Sequence, residues 1–384
     1  MKQYYSFLFF FIFIVVTAQN FADTKGELQI SASGTAVYNL PIATPPSIQN
    51  VAPVINLTYS SGVRGGIAGQ GWSINSISSI SRIATRIDID GFVDGVDFDS
   101  NDKLALDGQR LLLKTGAYWA NGSTYETEFK SNLKIELKIE NSFLYFLVTA
   151  PDGSRTWYAS RGAGTYQNAV SVNAWYIVHF EDTNGNEINY NYNNVIYNST
   201  NQLYIKTIDF SGNSAAGIAF QNQIEFNYKS SSRIERDFIN GAAFYATQIL
   251  DNVMVRTNGN LFRKYQLQHQ TDSSLGYQRV SSIQESNGVG ELSNPVTFTY
   301  NNTEETLTRI EKEYTNTLAF DKANIAGDFD GDGRLDFVAD KKIYTNLFNG
   351  NTGNSGINFP TIRPALIFTA TLRPNYKMNQ FQSI

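Results

Sequence analysis

Short strand-like segments joined by turns with Asn-Gly or Asp-Gly recur along most of this chain, and they restrict its fold more than any other feature. The clearest case is AWYIVHFEDTNGNEINYNYNN. Ala174–Glu181 is rich in aromatic and β-branched residues, and Ile188, Tyr190 and Tyr192 alternate with polar residues. Asn184-Gly185 between them supplies the positive φ that a hairpin turn needs. This pattern predicts an antiparallel β-hairpin.

The same pattern recurs around Asp152-Gly153 and in the segments IKTIDFSGN, QIEFNY and NPVTFTY. After the first twenty residues, no segment keeps an apolar period of 3.6 residues over three turns. Ile74, Ile77, Ile80 and Ile83 are spaced by three, but the serines and β-branched residues among them disfavour a helix. We therefore predict an all-β protein with many short antiparallel strands.

The first 18 residues have the composition of a secretory signal peptide. Lys2 precedes an apolar run, Phe7–Val16, and Ala18 ends a segment that signal peptidase would cleave. The mature chain would then begin near Gln19 and be secreted. The run is shorter than the roughly 18 residues of a spanning helix, so no stable membrane anchor is expected. An uncleaved anchor is the alternative.

Charge and composition exclude several classes of function. The net charge is −5 and the cations are scattered, which argues against nucleic acid or an anionic membrane as the main partner. The chain has no cysteine, which excludes thiol nucleophiles and thiolate zinc sites. With His179 and His269 as the only histidines, multi-histidine metal sites and most catalytic triads are nearly excluded.

A chain of 384 residues has room for two domains. The polar segment from about residue 301 to 316 is the predicted boundary. We therefore expect a leader over residues 1–18, a β domain over 19–305 and a second β region over 306–384.

A glycine-rich loop precedes Trp72 and invites comparison with phosphate-binding loops. It lacks the Gly-Lys-Ser/Thr ending and the G-x-G-x-x-G spacing, and no helix follows to hold an anion. We expect these glycines to permit tight turns beside the tryptophan instead. The glycines are Gly65, Gly66, Gly69 and Gly71.

An ordered series of motifs identifies a family. The motifs LPI, PP, LTYSS, GQGWS and ISR follow one another between Leu40 and Arg82. DKLALDGQRLLL, TYETEFKSN, APDGSRTWY, DTNGNEINYNY, IEFNYKSSSRIERDF and NPVTFTY follow later. In this order they resemble the N-terminal domain shared by SpvB-type virulence proteins and the TcB component of insecticidal toxin complexes. The resemblance extends from about Gly34 to Tyr300.

The resemblance implies a non-catalytic scaffold at the start of a large secreted protein. In similar toxin complexes a β-propeller follows, which docks a pore-forming partner, and then a hollow repeat-built shell around a C-terminal toxic effector. In the SpvB-type branch the C-terminal part is an ADP-ribosyltransferase that acts on actin. The favoured function is thus toxin assembly and delivery. The alternatives are a calcium-dependent surface or adhesion protein and, less favoured, an ADP-ribosyltransferase.

An acidic loop, GDFDGDGRLDFVAD, predicts one structural calcium site. Oxygen ligands alternate along the loop, as calcium requires, and one position offers a backbone carbonyl. The predicted ligands are Asp328, Asp330, Asp332, Arg334 and Asp336. An EF-hand is disfavoured because Ala339 stands where its bidentate glutamate would be and because the flanks are strand-like. A solvated acidic turn without metal is the alternative.

The loop resembles the FG-GAP/VCBS repeat, the calcium-binding hairpin of β-propeller blades. This implies that the second region is the first blade of an incomplete propeller, because propellers need about four to eight blades. No second acidic loop follows Asp340. We therefore expect the chain to be a truncated product or a fragment of a much longer protein.

Two further acidic groups are weak candidate sites. Glu126-Thr127-Glu128 resembles the Glu-x-Glu pair of ADP-ribosyltransferases, but an exposed strand face is the favoured interpretation. His179 is interpreted as a structural histidine rather than a base. The segment IDIDGFVDGVDFDSND gathers six aspartates whose irregular spacing makes a second calcium site a minor alternative. They are Asp88, Asp90, Asp94, Asp97, Asp99 and Asp102. No catalytic set is predicted, so we expect no enzyme activity.

Overall fold

The computed structural model describes residues 21–162, 169–272 and 276–300, and the segments 323–329, 336–339, 342–344 and 357–358. The chain divides into two compact units, Met1–Thr303 and Glu304–Ile384. The predicted leader, residues 1–18, lies outside the described residues. Within the described part of the chain, no helix is long and apolar enough to cross a membrane.

The first unit consists of antiparallel strands. In chain order they are β1 Glu27–Ile30, β2 Ala36–Pro41, β3 Asn56–Ser60, β4 Trp72–Asn75, β5 Ser79–Ile83, β6 Lys103–Leu106, β7 Gln109–Thr115, β8 Thr124–Thr127, β9 Lys134–Glu140, β10 Phe143–Thr149, β11 Arg155–Tyr158, β12 Ala174–Glu181, β13 Glu187–Tyr197, β14 Thr200–Gly212, β15 Asn222–Ile239, β16 Ala242–Thr257, β17 Asn260–Thr271, β18 Gln278–Asn287 and β19 Val296–Thr297.

Helical structure is minor. It comprises one α-helical turn, Ile87–Asp90, and two 3₁₀ turns, Ile48–Asn50 and Ser214–Ala216, in the described part of the chain. Strand residues make up 57% of the structure and helical residues 4%. The prediction of an all-β protein is therefore confirmed. The isoleucines spaced by three are not helical, as expected, since Ile74 lies in β4 and Ile80 in β5.

Strands β5 to β12 form a closed eight-stranded barrel. Each strand from β5 to β11 pairs with the next one along the chain, and β12 pairs with both β5 and β11. Closure leaves no open edge at this point of the sheet. Large aromatic side chains fill the interior, where the Phe146 and Trp175 rings pack edge to face with centroids 5.4 Å apart. Tyr125 and Leu104 are also fully buried.

Strand β12 belongs to the barrel and to a second sheet at the same time. Ala174–Tyr176 pairs with β5, whereas His179–Glu181 pairs with β13. From β13 the sheet continues in chain order to β19, with long strands between them. The longest is β15, with 18 residues. The barrel and the long sheet are therefore one continuous hydrogen-bonded structure.

Tight turns with positive φ join the strands, as the Asn-Gly and Asp-Gly pairs predicted. Asn240-Gly241 has φ values of 44° and 76°, and Asn258-Gly259 has 50° and 80°. Positive φ at both central residues is the type I′ geometry that matches the twist of two paired strands. At Asn184-Gly185 only the glycine has positive φ, 78°. The predicted hairpin of β12 and β13 is confirmed.

Strands β1 to β4 form a separate four-stranded antiparallel sheet. Trp72 on β4 is fully buried and joins this sheet to the long one. Its indole Nε1–H donates to the Tyr300 hydroxyl at 2.9 Å, which donates to the Val280 carbonyl on β18 at 2.9 Å. The Phe298 ring packs edge to face on Trp72 with centroids 4.7 Å apart. The buried indole is thus both packed and hydrogen-bonded.

The glycine-rich loop lies against this tryptophan, as expected. Gly66 has φ +134°, and a Cβ there would lie 2.1 Å from the Trp72 carbonyl oxygen. Gly71 has φ +78°, and a Cβ there would lie 2.7 Å from the Tyr59 ring. The glycines therefore permit turns and close backbone approach, which confirms the structural interpretation of this loop.

The second unit contains a four-stranded antiparallel sheet in the described residues. Its strands are β20 Ala323–Gly327, β21 Asp336–Ala339, β22 Lys342–Tyr344 and β23 Ile357–Asn358. They pair in chain order, so the sheet is a meander.

The glycine-rich loop gives a stability prediction with a built-in control. In Gly66→Ala, the alanine must adopt a positive φ and its Cβ also collides with backbone atoms. In Gly65→Ala, the alanine must adopt a positive φ of 72°, but no atom lies within 4 Å of its Cβ. We expect Gly65→Ala to cost about 1–2 kcal/mol and Gly66→Ala about 1–3 kcal/mol more. Urea unfolding followed by tryptophan fluorescence measures both, since all four tryptophans lie in the first unit. Equal losses would contradict this account.

Candidate functional site

The predicted calcium loop lies at the tip of a β-hairpin. Strands β20 and β21 pair antiparallel, with Gly327 opposite Asp336 at the base of the loop. The sequence between them is the acidic segment itself. The prediction of strand flanks is confirmed, and this local structure differs from an EF-hand, whose loop joins two helices.

Two of the five predicted ligands lie in the described part of this hairpin. Asp336 is fully buried, and its Oδ2 accepts a hydrogen bond from the Phe329 backbone N–H at 2.8 Å. Asp328 is half-buried at the other end of the loop. Asp330, Asp332 and Arg334 lie outside the described residues. The ligand set therefore stays a prediction.

The six aspartates of the second acidic segment, residues 88–102, fall into two groups of three. Three of its aspartates pair with arginines of the same unit. Asp88 pairs with Arg86 at 2.5 Å, and Asp90 with Arg110 at 3.0 Å. The buried carboxylate of Asp102 pairs with Arg82 at 2.8 Å and accepts hydrogen bonds from the backbone N–H groups of residues 97 and 98. The two buried pairs, Asp90 with Arg110 and Asp102 with Arg82, tie this segment to β7 and β5.

The other three aspartates converge at the surface. Asp94, Asp97 and Asp99 each bring a carboxylate oxygen within 4.8 Å of the others. Desolvation raises the pKa of Asp97, and the charges of Asp99 and Asp94 raise it further. Asp97 is partly exposed, and Asp99 is exposed. A second calcium site at these three aspartates therefore stays a hypothesis.

The Glu-x-Glu pair lies at the end of β8. The exposed side chain of Glu126 pairs with Lys114 at 3.4 Å, and Glu128 pairs with Arg86 at 2.9 Å. Each carboxylate thus neutralises a different cation, and neither lines the two best-formed cavities of the described residues.

Those two cavities have volumes of about 30 Å³ and 10 Å³. Ligand pockets are usually about 300–1,000 Å³, far larger than either cavity. The larger cavity lies between the glycine-rich loop and Tyr277, and the smaller one lies beside Tyr265 and Glu285. Neither could hold a nucleotide.

One cluster of possible metal ligands was not predicted from the sequence. His179 is fully buried in β12, as a structural histidine would be, but it also faces Glu181 and Glu187. The hairpin turn sets this register, with Glu181 opposite Glu187. The available signal was the i, i+2 spacing of His179 and Glu181 before a predicted turn.

The comparisons with known proteins agree with this fold. The family model of the Salmonella virulence plasmid 65kDa B protein, SpvB, matches residues 30–228, which are 199 of the 384 residues. Among curated protein sequences, no match to this chain was found.

Solved structures share the architecture at low sequence identity. The crystal structure of TcdB2-TccC3 is 16% identical with a TM-score of 0.57, covering 72% of this chain and 17% of that one. The Photorhabdus luminescens Tc holotoxin pore is 15% identical with a TM-score of 0.57, covering 73% and 16%. The N-terminal domain of effector protein SpvB from Salmonella typhimurium strain LT2 is 14% identical with a TM-score of 0.50, covering 64% and 98%.

The chain thus spans only about a sixth of the two Tc structures that it matches, but nearly all of the SpvB N-terminal domain. The likeness to these structures concerns the fold, whereas the family model matches more than half of the sequence. The ordered motifs from Leu40 onward, the closed barrel and the family match agree: this chain belongs to the SpvB family.

Proposed function

We propose that this chain is a non-catalytic N-terminal scaffold module of a larger secreted protein of the Tc/SpvB type, which takes part in toxin assembly and delivery. The observation that carries the proposal is the family match over residues 30–228 together with a fold that Tc and SpvB structures share. The share of those Tc chains that it covers, 17% and 16%, fits a module of a longer polypeptide.

A scaffold role is supported by the chemistry of the described residues. The Glu-x-Glu carboxylates are ion-paired with Lys114 and Arg86, and the two best-formed cavities have volumes of only about 30 and 10 Å³. A transferase must enclose a substrate and place an acid or base beside it. The barrel and the long sheet instead form one continuous hydrogen-bonded structure.

We infer that the partners are the other proteins of such a complex. These would be a pore-forming component and a downstream shell with its effector, which the resemblance implies. Export is part of the proposal, and the predicted leader over residues 1–18 would direct it. No interaction with nucleic acid is proposed, because the net charge is −5 with no basic cluster in the sequence.

We also propose that the second unit begins an FG-GAP/VCBS-like β-propeller region with one structural calcium ion. A four-stranded meander is the unit from which propeller blades are built, and β20 to β23 form one. The buried Asp336 carboxylate at the base of the hairpin fits a hard-cation site. Calcium would neutralise the loop and fix its shape, and would take no part in a reaction.

The scaffold proposal predicts that the native protein is part of a much larger secreted species. Peptides from residues 21–300 should be found by mass spectrometry in the culture supernatant of the source organism. On size-exclusion chromatography they should elute far ahead of a 384-residue monomer, together with other complex components. Recovery as a free monomer that binds cells or glycans in a calcium-dependent manner would favour the adhesion alternative and contradict the proposal.

The calcium proposal predicts a stabilised second unit. Calcium should raise the melting temperature of the unit that contains Asp328 to Asp336, because the ion binds the folded loop and not the unfolded chain. Differential scanning calorimetry of the full chain, with calcium and with chelator, measures the shift. Asp328→Asn should abolish most of it, whereas Asp340→Asn, which lies outside the predicted ligand set, should not. Identical curves in calcium and in chelator would contradict the proposal.

A further inference from the structure

His179, Glu181 and Glu187 face one another where strand β12 meets the long sheet. In the antiparallel pair of β12 and β13, His179 lies opposite Asn189 and Glu181 opposite Glu187. Residues directly opposite one another share a face of the sheet, so these four side chains form one patch. A nitrogen of His179 and one carboxylate oxygen from each glutamate lie within 4.8 Å of one another.

The imidazole of His179 is positioned as a metal ligand. Its Nδ1–H donates to Asn189 Oδ1, which leaves the lone pair on Nε2. Nε2 is buried, has no hydrogen-bond partner among the described residues, and lies 4.0 Å from Glu181 Oε2. An imidazole nitrogen with a free lone pair is the atom through which histidine binds metal ions.

In each glutamate, one carboxylate oxygen accepts a hydrogen bond from a neighbouring side chain, and the other oxygen points into the patch. Glu181 Oε1 accepts a hydrogen bond from Arg155 at 2.7 Å, and Glu187 Oε2 accepts one from Ser214 Oγ at 2.7 Å. The remaining oxygens, Glu181 Oε2 and Glu187 Oε1, face the Arg161 guanidinium at 3.8 and 3.7 Å.

All three donor side chains thus have an outer partner that fixes their orientation. Asn189 holds the imidazole, and Arg155 and Ser214 hold the carboxylates. Metal sites in proteins have this organisation, in which the second polar atom of each ligand is hydrogen-bonded to a supporting residue. The patch is therefore more than a group of acidic residues.

Arg161 supplies the cation that the two facing carboxylates require. Like charges directly opposite in a sheet destabilise it. However, the Arg161 contacts with both glutamates are longer than hydrogen bonds. One third of its side chain is exposed, 33%, so it has a path to solvent. A divalent ion that enters the patch would take over its role.

We propose that His179, Glu181 and Glu187 form a binding site for a divalent transition metal ion of the zinc class, with water as a further ligand. Arg161 occupies the site when metal is absent. Zinc bonds of about 2.0–2.1 Å place ligand atoms roughly 3.3–3.4 Å apart, so the donors need to close by about an ångström from their present separations. Calcium is not the ion expected, since it selects oxygen ligands.

Metal titration of the full chain tests the site. Isothermal titration calorimetry should show one Zn²⁺ ion bound per chain. Co²⁺ bound at the same site should give the visible absorption bands that are typical of a cobalt ion with a low coordination number. Excess Ca²⁺ present throughout occupies the acidic loops. Glu187→Gln and Glu181→Gln should each weaken binding about tenfold or more, by analogy with losses at metal sites. Arg161→Ala should tighten binding several-fold, because the competing cation is gone.

Glu126→Gln, which changes an exposed glutamate of the same unit, is the matched control and should bind as the unaltered protein does. His179→Gln removes the nitrogen ligand, and its fold is checked by tryptophan fluorescence. If that variant fails to fold, Glu181→Gln and Arg161→Ala still decide the matter. The proposal is overturned if neither the unaltered chain nor Arg161→Ala binds Zn²⁺ saturably, or if binding is unchanged in Glu181→Gln and Glu187→Gln. The outcome is independent of the scaffold and calcium proposals.

Discussion

The rest of the first unit depends on the double use of strand β12. Ala174–Tyr176 forms a ladder with β5, and His179–Glu181 forms one with β13, while β11 pairs along the opposite edge. This single strand closes the barrel and starts the long sheet. A strand with both edges paired leaves no free edge for another chain. The patch of His179, Glu181 and Glu187 lies at this junction, so an ion bound there would brace both parts.

The remaining sheet is attached by side chains. Trp72 connects the sheet of β1 to β4 to the long sheet, because it bonds to Tyr300 and packs on Phe298, and Tyr300 in turn bonds to Val280 on β18. Gly66 allows the backbone to pass close to Trp72. Burying a large aromatic ring whose polar atom is satisfied stabilises such a contact without an unpaired donor. The first unit is thus held together by a continuous sheet and by buried, hydrogen-bonded aromatic contacts.

Local features were predictable from the sequence, and non-local ones were not. Asn184-Gly185 marked its hairpin correctly because turn geometry depends on a few adjacent residues. The closure of β5 on β12 joins residues almost a hundred positions apart, such as Ile80 and Trp175, and no local pattern specifies that pairing. The cluster around His179 was missed because it depends on strand register. The proposed function rests on the family match over residues 30–228 and not on any local pattern of side chains.

Native-state hydrogen exchange measured by mass spectrometry tests the shared strand most directly. If β12 unites the barrel and the long sheet, its amides between Ala174 and Glu181 exchange among the slowest. Barrel peptides and long-sheet peptides then gain deuterium through one common unfolding step, with the same dependence on denaturant. Exchange of the barrel strands β5 to β11 in a separate step of lower free energy, while β13 to β18 stay protected, would contradict this account.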